Sequence, residues 1–310
     1  MSNRNNLKGG ALLLTAAFLW GVAFTAQSGA ADLIPPFLCN SLRSFIAAIF
    51  LAVFLKIRKG RGEGKILPKD ALTRKRLYKV GFVCGVLLLV AVNLQQFGIT
   101  FYPDGAASEA RAGFLTALYV LLVPIFSIFS GNRAGVKLWI AVAVSLFGFY
   151  LLCFSDGFSG VYLADLLVFG SAVAFAVHIM AVDMLGAALD GVQLSMMQFA
   201  VVGVISGVFS LFFERTTFGN VLTALPEILY LGIVSSGIAY TLQIVGQHYA
   251  EPTVASLSMS MESVFAALAG WLIMGNALSR REMLGCALVF AAIVLAQMPS
   301  LHPKKMTEKD

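Results

Sequence analysis

Charge is scarce in this chain. Only 12% of its 310 residues are Asp, Glu, Lys or Arg, while 59% are hydrophobic. That charge share is about half of what a soluble domain carries, so an ordinary water-facing surface is excluded. Apolar runs recur along the whole length, which identifies an integral membrane protein. Several motifs are also missing. There is no CxxC or Cys/His metal spacing, and Cys39, Cys84, Cys153 and Cys286 all lie inside apolar stretches, as small buried hydrophobes do. No H-E-x-x-H, G-x-S-x-G or P-loop occurs, and no pair of intramembrane aspartates, so metalloprotease, serine hydrolase, aspartyl protease and ATP-driven pump readings find no support. No catalytic residue, metal or cofactor is expected. The net charge of +6 is not a nucleic-acid signal, because ten of the 22 basic residues fall in one loop, between Lys56 and Lys79.

What the chain does have is hydrocarbon in span-sized lengths. The apolar periodicity predicts ten helices, at about 9–28, 36–55, 79–101, 106–129, 136–154, 163–184, 192–213, 227–247, 253–274 and 283–299. Turn residues punctuate them at Pro35-Pro36, Pro103-Asp104-Gly105, Gly131 to Gly135, Ser155 to Gly160 and Glu251-Pro252. The first stretch follows Arg4 and Lys8 and precedes small residues, as a signal peptide would, but it is longer than a signal core and is read as a span. With both ends inside, inner segments hold 17 Lys/Arg and outer loops hold three, Arg215, Arg280 and Arg281. That asymmetry predicts cytoplasmic termini.

The chain also repeats itself. Leu94-Gln95-x-x-Gly98-x-x-Phe101 returns as Leu242-Gln243-x-x-Gly246-x-x-Tyr249, and Gly131-Asn132 returns as Gly275-Asn276. Ala17-Phe18-Leu19-Trp20-Gly21 has a degenerate echo in Ala172 to Ala176, and all offsets are about half the chain. The expected fold is an all-α membrane protein of ten transmembrane helices. Residues 1–157 form a first five-helix repeat and 158–310 a second, in one transmembrane unit. Five spans per copy is odd, so the copies must be inverted, with a site where they meet. Gly81-x-x-x-Gly85 and Gly203-x-x-x-Gly207 are read as ordinary close helix contacts within the bundle.

Polar side chains are expensive in lipid and therefore mark candidate sites. Asn93, Gln96 and Thr100 fall at i, i+3 and i+7 of the third span, and Tyr240, Gln243 and Gln247 repeat that spacing in the eighth. Each set makes one helix face. The two are expected to face one water-accessible cavity, with interhelical hydrogen bonding as the alternative. The ninth span carries Ser256, Met259, Ser260, Glu262 and Ser263, with Glu262 close to the midplane. Glu262 is a substrate- or proton-binding candidate, or else the ion-pair partner of Arg43 in the second span. His178 and Ser171 share a face of the sixth span, where the histidine could shuttle protons or simply be hydrogen-bonded. The fourth span opens on Glu109 and Arg111, read as a solvated outer rim, and then carries Thr116 and Tyr119. Trp20, Ala23, Phe24 and Gln27 share a face of the first span, either an aromatic wall of the cavity or plain core.

These residues resemble the drug/metabolite transporter superfamily, in particular the EamA-type permeases of ten spans. The matching pieces are Trp20-Gly21, Arg43, Asn93 to Gly98, Gly113 to Pro124, Tyr240 to Gln247, Met261 to Val264 and Gly285 to Leu295. The chain departs from the family pattern at Ser263, Asn132, Asn276 and Phe175, where Pro, Glu, Glu and Trp are common. The resemblance implies a cavity mainly between spans one, three, four, six, eight and nine. It implies movement of small metabolites, often amino acids or related compounds, across a prokaryotic inner membrane. The expected partners are a small-molecule substrate and the lipid bilayer, and no nucleic acid. Proton coupling, solute exchange and a homodimer stay open. The substrate-binding candidates are Trp20, Asn93, Gln96, Thr116, Tyr119, His178, Tyr240, Gln243, Gln247, Ser260 and Glu262. The competing reading is a membrane enzyme or sensor that uses the same cavity without translocation.

Overall fold

A computed structural model describes residues 3–103, 108–129, 135–153, 162–274 and 279–297, and no strand occurs among them. The expected Gly131-Asn132 and Gly275-Asn276 turns and the side chain of Glu109 lie outside the described residues. Among the described residues, seven helical stretches are long and apolar enough to cross a membrane: Leu7–Ala31, Pro36–Gly60, Ala71–Phe101, Arg111–Ile128, Leu163–Gly186, Gly191–Phe213 and Leu225–Gln247. Shorter apolar stretches cover Val136–Gly148 and Met283–Ala292. Large apolar side chains such as Leu211, Phe212, Phe82 and Ile49 stand exposed on the outer faces. Charge would occupy such faces in water, so they suit lipid. The protein is therefore an all-helical, multi-pass membrane protein.

The helices are α1 (Asn3–Ala31), α2 (Pro36–Gly60), α3 (Ala71–Phe101), α4 (Ser108–Ala117), α5 (Tyr119–Phe129), α6 (Val136–Cys153), α7 (Leu163–Gly186) and α8 (Gly191–Phe213). They continue with α9 (Phe218–Thr223), α10 (Leu225–Leu229), a π-helical segment (Tyr230–Ala239), α11 (Tyr240–Gln247), α12 (Pro252–Met259), α13 (Glu262–Met274) and α14 (Arg280–Gln297). Local chemistry sets their starts. Asp70 caps α3 by accepting from Leu72 and Thr73 N–H, and Asp190 caps α8 by accepting from Val192 and Gln193 N–H. Pro36 and Pro252 sit in the first turns of α2 and α12, where a missing N–H costs nothing.

Three expected spans are not plain α-helices. The fourth is α4 and α5, broken at Leu118, whose N–H bonds Leu115 O in a tighter turn. The ninth is α12 and α13, broken at Ser260 and Met261. Ser256, Ser258 and Ser260 each bond back to a carbonyl of the preceding turn. Such side-chain bonds compete with the helical ladder and weaken it locally. The eighth expected span runs through ten residues of π-helix before α11 begins. Wide turns of this kind recur at functional sites.

Small residues let backbones approach. An added Cβ on Gly81 or Gly85 would meet Met197 or Val201 of α8 at 2.6 and 2.8 Å. Gly203 and Gly207 lie against Phe45 and Ser41 of α2. Both glycine pairs thus serve contacts inside the bundle. Gly21 packs α1 onto α13 so tightly that a Cβ would fall 2.8 Å from Glu262 O.

Charged groups tie the two halves together at both ends. At one end Arg58 of α2 pairs with Asp190, and Gln193 Nε2 donates to Lys65 O, which pins the basic loop between α2 and α3. At the other end Asp165 of α7 accepts from Arg111 Nε and Nη2 at 3.1 and 2.6 Å, and from Tyr102 Oη at 2.7 Å. The Arg111 guanidinium also stacks 4.8 Å from the Tyr162 ring. The solvated rim expected at Arg111 is corrected: its side chain is buried in an ion pair, because Asp165, more than fifty residues away in sequence, is brought beside it.

Candidate functional site

A cavity lies within the helix bundle. Trp20, Phe24 and Gln27 of α1 form one wall, and Phe175 and Ile179 of α7 form another. Gln95, Thr116 and Tyr119 face it from α3, α4 and α5. Ser235, Tyr240 and Gln243 face it from the π-segment and α11, Met259 and Glu262 from the broken ninth span, and Arg43 from α2. The elements are those the resemblance implied, with α2 added.

The aromatic side is ordered. Trp20 Nε1 donates to Ser235 O at 3.1 Å. The Trp20 and Tyr240 rings meet edge-on with centroids 4.8 Å apart, and Phe199 packs behind Tyr240 at 5.4 Å. Such arrangements suit the ring quadrupoles and hold the rings in place. On the amide side, Gln27 Nε2 donates to Gln95 Oε1 at 3.1 Å, and Gln95 Nε2 donates to Thr116 Oγ1 at 3.1 Å. This chain links α1, α3 and α4.

The rest of the lining is under-satisfied. Arg43 Nε, Tyr119 Oη, Gln243 Oε1 and Glu262 Oε1 are all buried without a hydrogen-bond partner. Glu262 and Tyr119 face the same cavity, yet neither Tyr119 Oη nor Glu262 Oε1 has a hydrogen-bond partner. Buried polar groups are paired in the great majority of cases, so four orphans around one void need an explanation. Arg43 and Glu262, 2% and 4% exposed, form no ion pair with each other. The expected alternative of an Arg43–Glu262 brace is corrected: α2 and α13 bring both groups to the cavity without pairing them.

Of the sequence candidates, Trp20, Thr116, Tyr119, Tyr240, Gln243 and Glu262 come together at the cavity. The other five are buried elsewhere. Asn93 donates to Ser206 Oγ and accepts from Asn40 Nδ2 between α2, α3 and α8. Gln96 donates to Gln27 O between α1 and α3. His178 Nε2 lies 2.6 Å from Gln198 Oε1, between α7 and α8. Gln247 donates to Ile179 O, and Ser260 Oγ closes back on Leu257 O. The stripe of Asn93 and Gln96 thus marks helix contacts, and α3 faces the cavity with Gln95 instead. Gln95 is two residues from Asn93, about 200° around the helix. Periodicity shows that a face is polar and not what stands opposite it. Arg43, Gln95 and Ser235 are lining residues that the sequence reading did not place there. The recurrence of Leu94-Gln95 as Leu242-Gln243 was the available signal, since Gln95 and Gln243 both face the void. Among the described residues no group of three His, Cys, Asp or Glu could hold a metal ion.

Comparison with known proteins agrees over nearly the whole chain. An uncharacterized transporter of Archaeoglobus fulgidus is 26% identical over 287 residues, covering 92% of this chain and 84% of the relative. The uncharacterized inner membrane transporter YedA of Escherichia coli is 24% identical, covering 94% of this chain and 92% of the relative. One protein of known crystal structure shares the fold with a TM-score of 0.74 at 21% identity, covering 96% of this chain and 97% of that one. The pattern of the EamA-like transporter family matches twice, over residues 7–154 and 162–298. With a bilayer-spanning helical bundle around a polar-lined void, and both family matches together taking in most of the sequence, the chain belongs to the EamA-like transporter family.

Proposed function

We propose that the protein is a secondary transporter that moves small metabolites, such as amino acids or related compounds, through this cavity by alternating access. The carrying observation is the set of orphaned polar atoms, Arg43 Nε, Tyr119 Oη, Gln243 Oε1 and Glu262 Oε1, around one buried void. Such groups are costly unless a solute or its water meets them during the working cycle.

The proposed frame is ten spans in two inverted five-helix repeats, 1–157 and 158–310, with both termini and the loop around residue 62 cytoplasmic. Two family matches, one to each half, support it. So do the helix contacts. Helix α3 packs on α7 as α11 packs on α1, and α1 packs on α13 as α7 packs on α4 and α5. The broken spans correspond in the same way, and discontinuous helices at the repeat interface are where transporters hold substrate. The inner membrane is the proposed location, following the printed name of the E. coli relative.

Flux of radiolabelled amino acids into vesicles holding purified protein tests this reading. Saturable uptake or exchange above empty vesicles is expected. Solute binding without flux would reject transport and leave the cavity to a sensor or enzyme.

A further inference from the structure

We infer that Arg43 and Glu262 are the two anchors of a zwitterion site, with Arg43 holding the carboxylate of the solute and Glu262 its ammonium group. The assignment rests on this cavity being the solute site. Each group lines it, each is more than nine-tenths buried, and each has an unpartnered atom, Nε on the cation and Oε1 on the anion. They form no ion pair with each other, and among the described residues no other ion pair takes either of them.

The charge balance selects the occupant. A guanidinium offers only donors, and a carboxylate is its geometric match. A solute with a single charge would meet one anchor and leave the other without a partner. A neutral solute would leave both so. A zwitterion compensates both at once, and the discrimination comes from the unmet charge as much as from the contacts made. Trp20, Tyr119 and Tyr240 line the same cavity. These rings provide an apolar surface for a side chain and can stack on a cation.

Leucine and phenylalanine, each beside its deaminated and decarboxylated analogue, test the assignment. The analogues are 4-methylpentanoate and 3-methylbutylamine, and 3-phenylpropionate and 2-phenylethylamine. Ligand-dependent thermal unfolding of the purified full chain reads the affinities. At least one amino acid is expected to bind roughly tenfold or more tightly than both of its analogues, the usual weight of one charged hydrogen bond or more. Arg43→Gln should lower the amino acid to the level of the amine, and Glu262→Gln should lower it to the level of the acid. Arg43→Lys, which keeps the charge, should retain the preference for the amino acid and serves where Arg43→Gln does not fold. An amino acid that binds no better than its analogues, or a ranking unchanged in Glu262→Gln or in a folded Arg43→Gln, overturns the assignment. Wild-type protein that moves solute in vesicles without this preference overturns the anchors and leaves transport standing. Preference without flux does the reverse.

Discussion

Tyr119 and Glu262 line the same cavity, and each is the first residue of the helix that resumes after a break in its span. Tyr119 follows the break at Leu118, and Glu262 follows the break at Ser260 and Met261. The two breaks fall in the fourth and ninth expected spans, which correspond between the halves. The discontinuities therefore place a hydroxyl and a carboxylate where unbroken helices would have carried them round to another neighbour.

Glu262→Gln preserves the shape of that side chain and removes its charge. Folded yield, read by size-exclusion chromatography, should stay near wild type, and solute flux should fall roughly tenfold or more, as loss of a charged contact does. A variant that transports with an unchanged pH profile would make the charge dispensable and leave Glu262 a structural residue.

Gln95 and Asn93 separate recognition from architecture. Gln95→Leu should weaken solute binding with modest loss of stability, because Gln95 lines the cavity. Asn93→Leu leaves Asn40 and Ser206 without their shared partner. It should cost about 1–3 kcal/mol in unfolding free energy while solute affinity in the folded fraction holds. Equal effects of the two changes on affinity would contradict the placement of the α3 faces.

Gly21 is where α1 meets the turn that presents Glu262. A Cβ there would lie 2.5 Å from the Cβ of Phe265 and 2.8 Å from Ala266 N, so backbone has to move. Gly21→Ala should destabilise by about 1–3 kcal/mol, as overpacking does. Gly21→Val should be worse, read as a lower midpoint of thermal unfolding.

The Arg111–Asp165 pair joins the first half to the second with side chains 7% and 9% exposed. Asp165→Asn should cost about 3 kcal/mol, since it leaves a buried guanidinium poorly compensated. Replacing both residues by alanine should cost less than the sum of the single changes. Additive losses in that cycle would show that the two groups are not coupled.

Topology is testable by labelling. In a background without the four native cysteines, an impermeant thiol reagent added outside should reach a cysteine at position 157 and leave one at 62 untouched. The reverse pattern would reject the inverted-repeat frame. Position 157 lies outside the described residues, so its accessibility is a prediction from span order alone.

The sequence by itself determined that this is a helical membrane protein and roughly where its helical stretches lie. Hydrocarbon length and the turn prolines act within a few residues of chain, so they are legible one segment at a time. It also named part of the cavity, because Trp20, Thr116, Tyr119, Tyr240, Gln243 and Glu262 are polar or aromatic at membrane depth wherever they point. Only the tertiary structure decided which polar face meets which neighbour. Asn93, Gln96 and His178 carry the same chemical signal as the lining residues, yet helix packing pairs them with Ser206, Gln27 and Gln198. An Arg43–Glu262 pair was one of two readings open until the bundle left them unpaired, and Arg111 looked solvated until α7 brought Asp165 to it. Burial and pairing are properties of contacts between segments distant in the chain, and no local pattern encodes the far side of a contact.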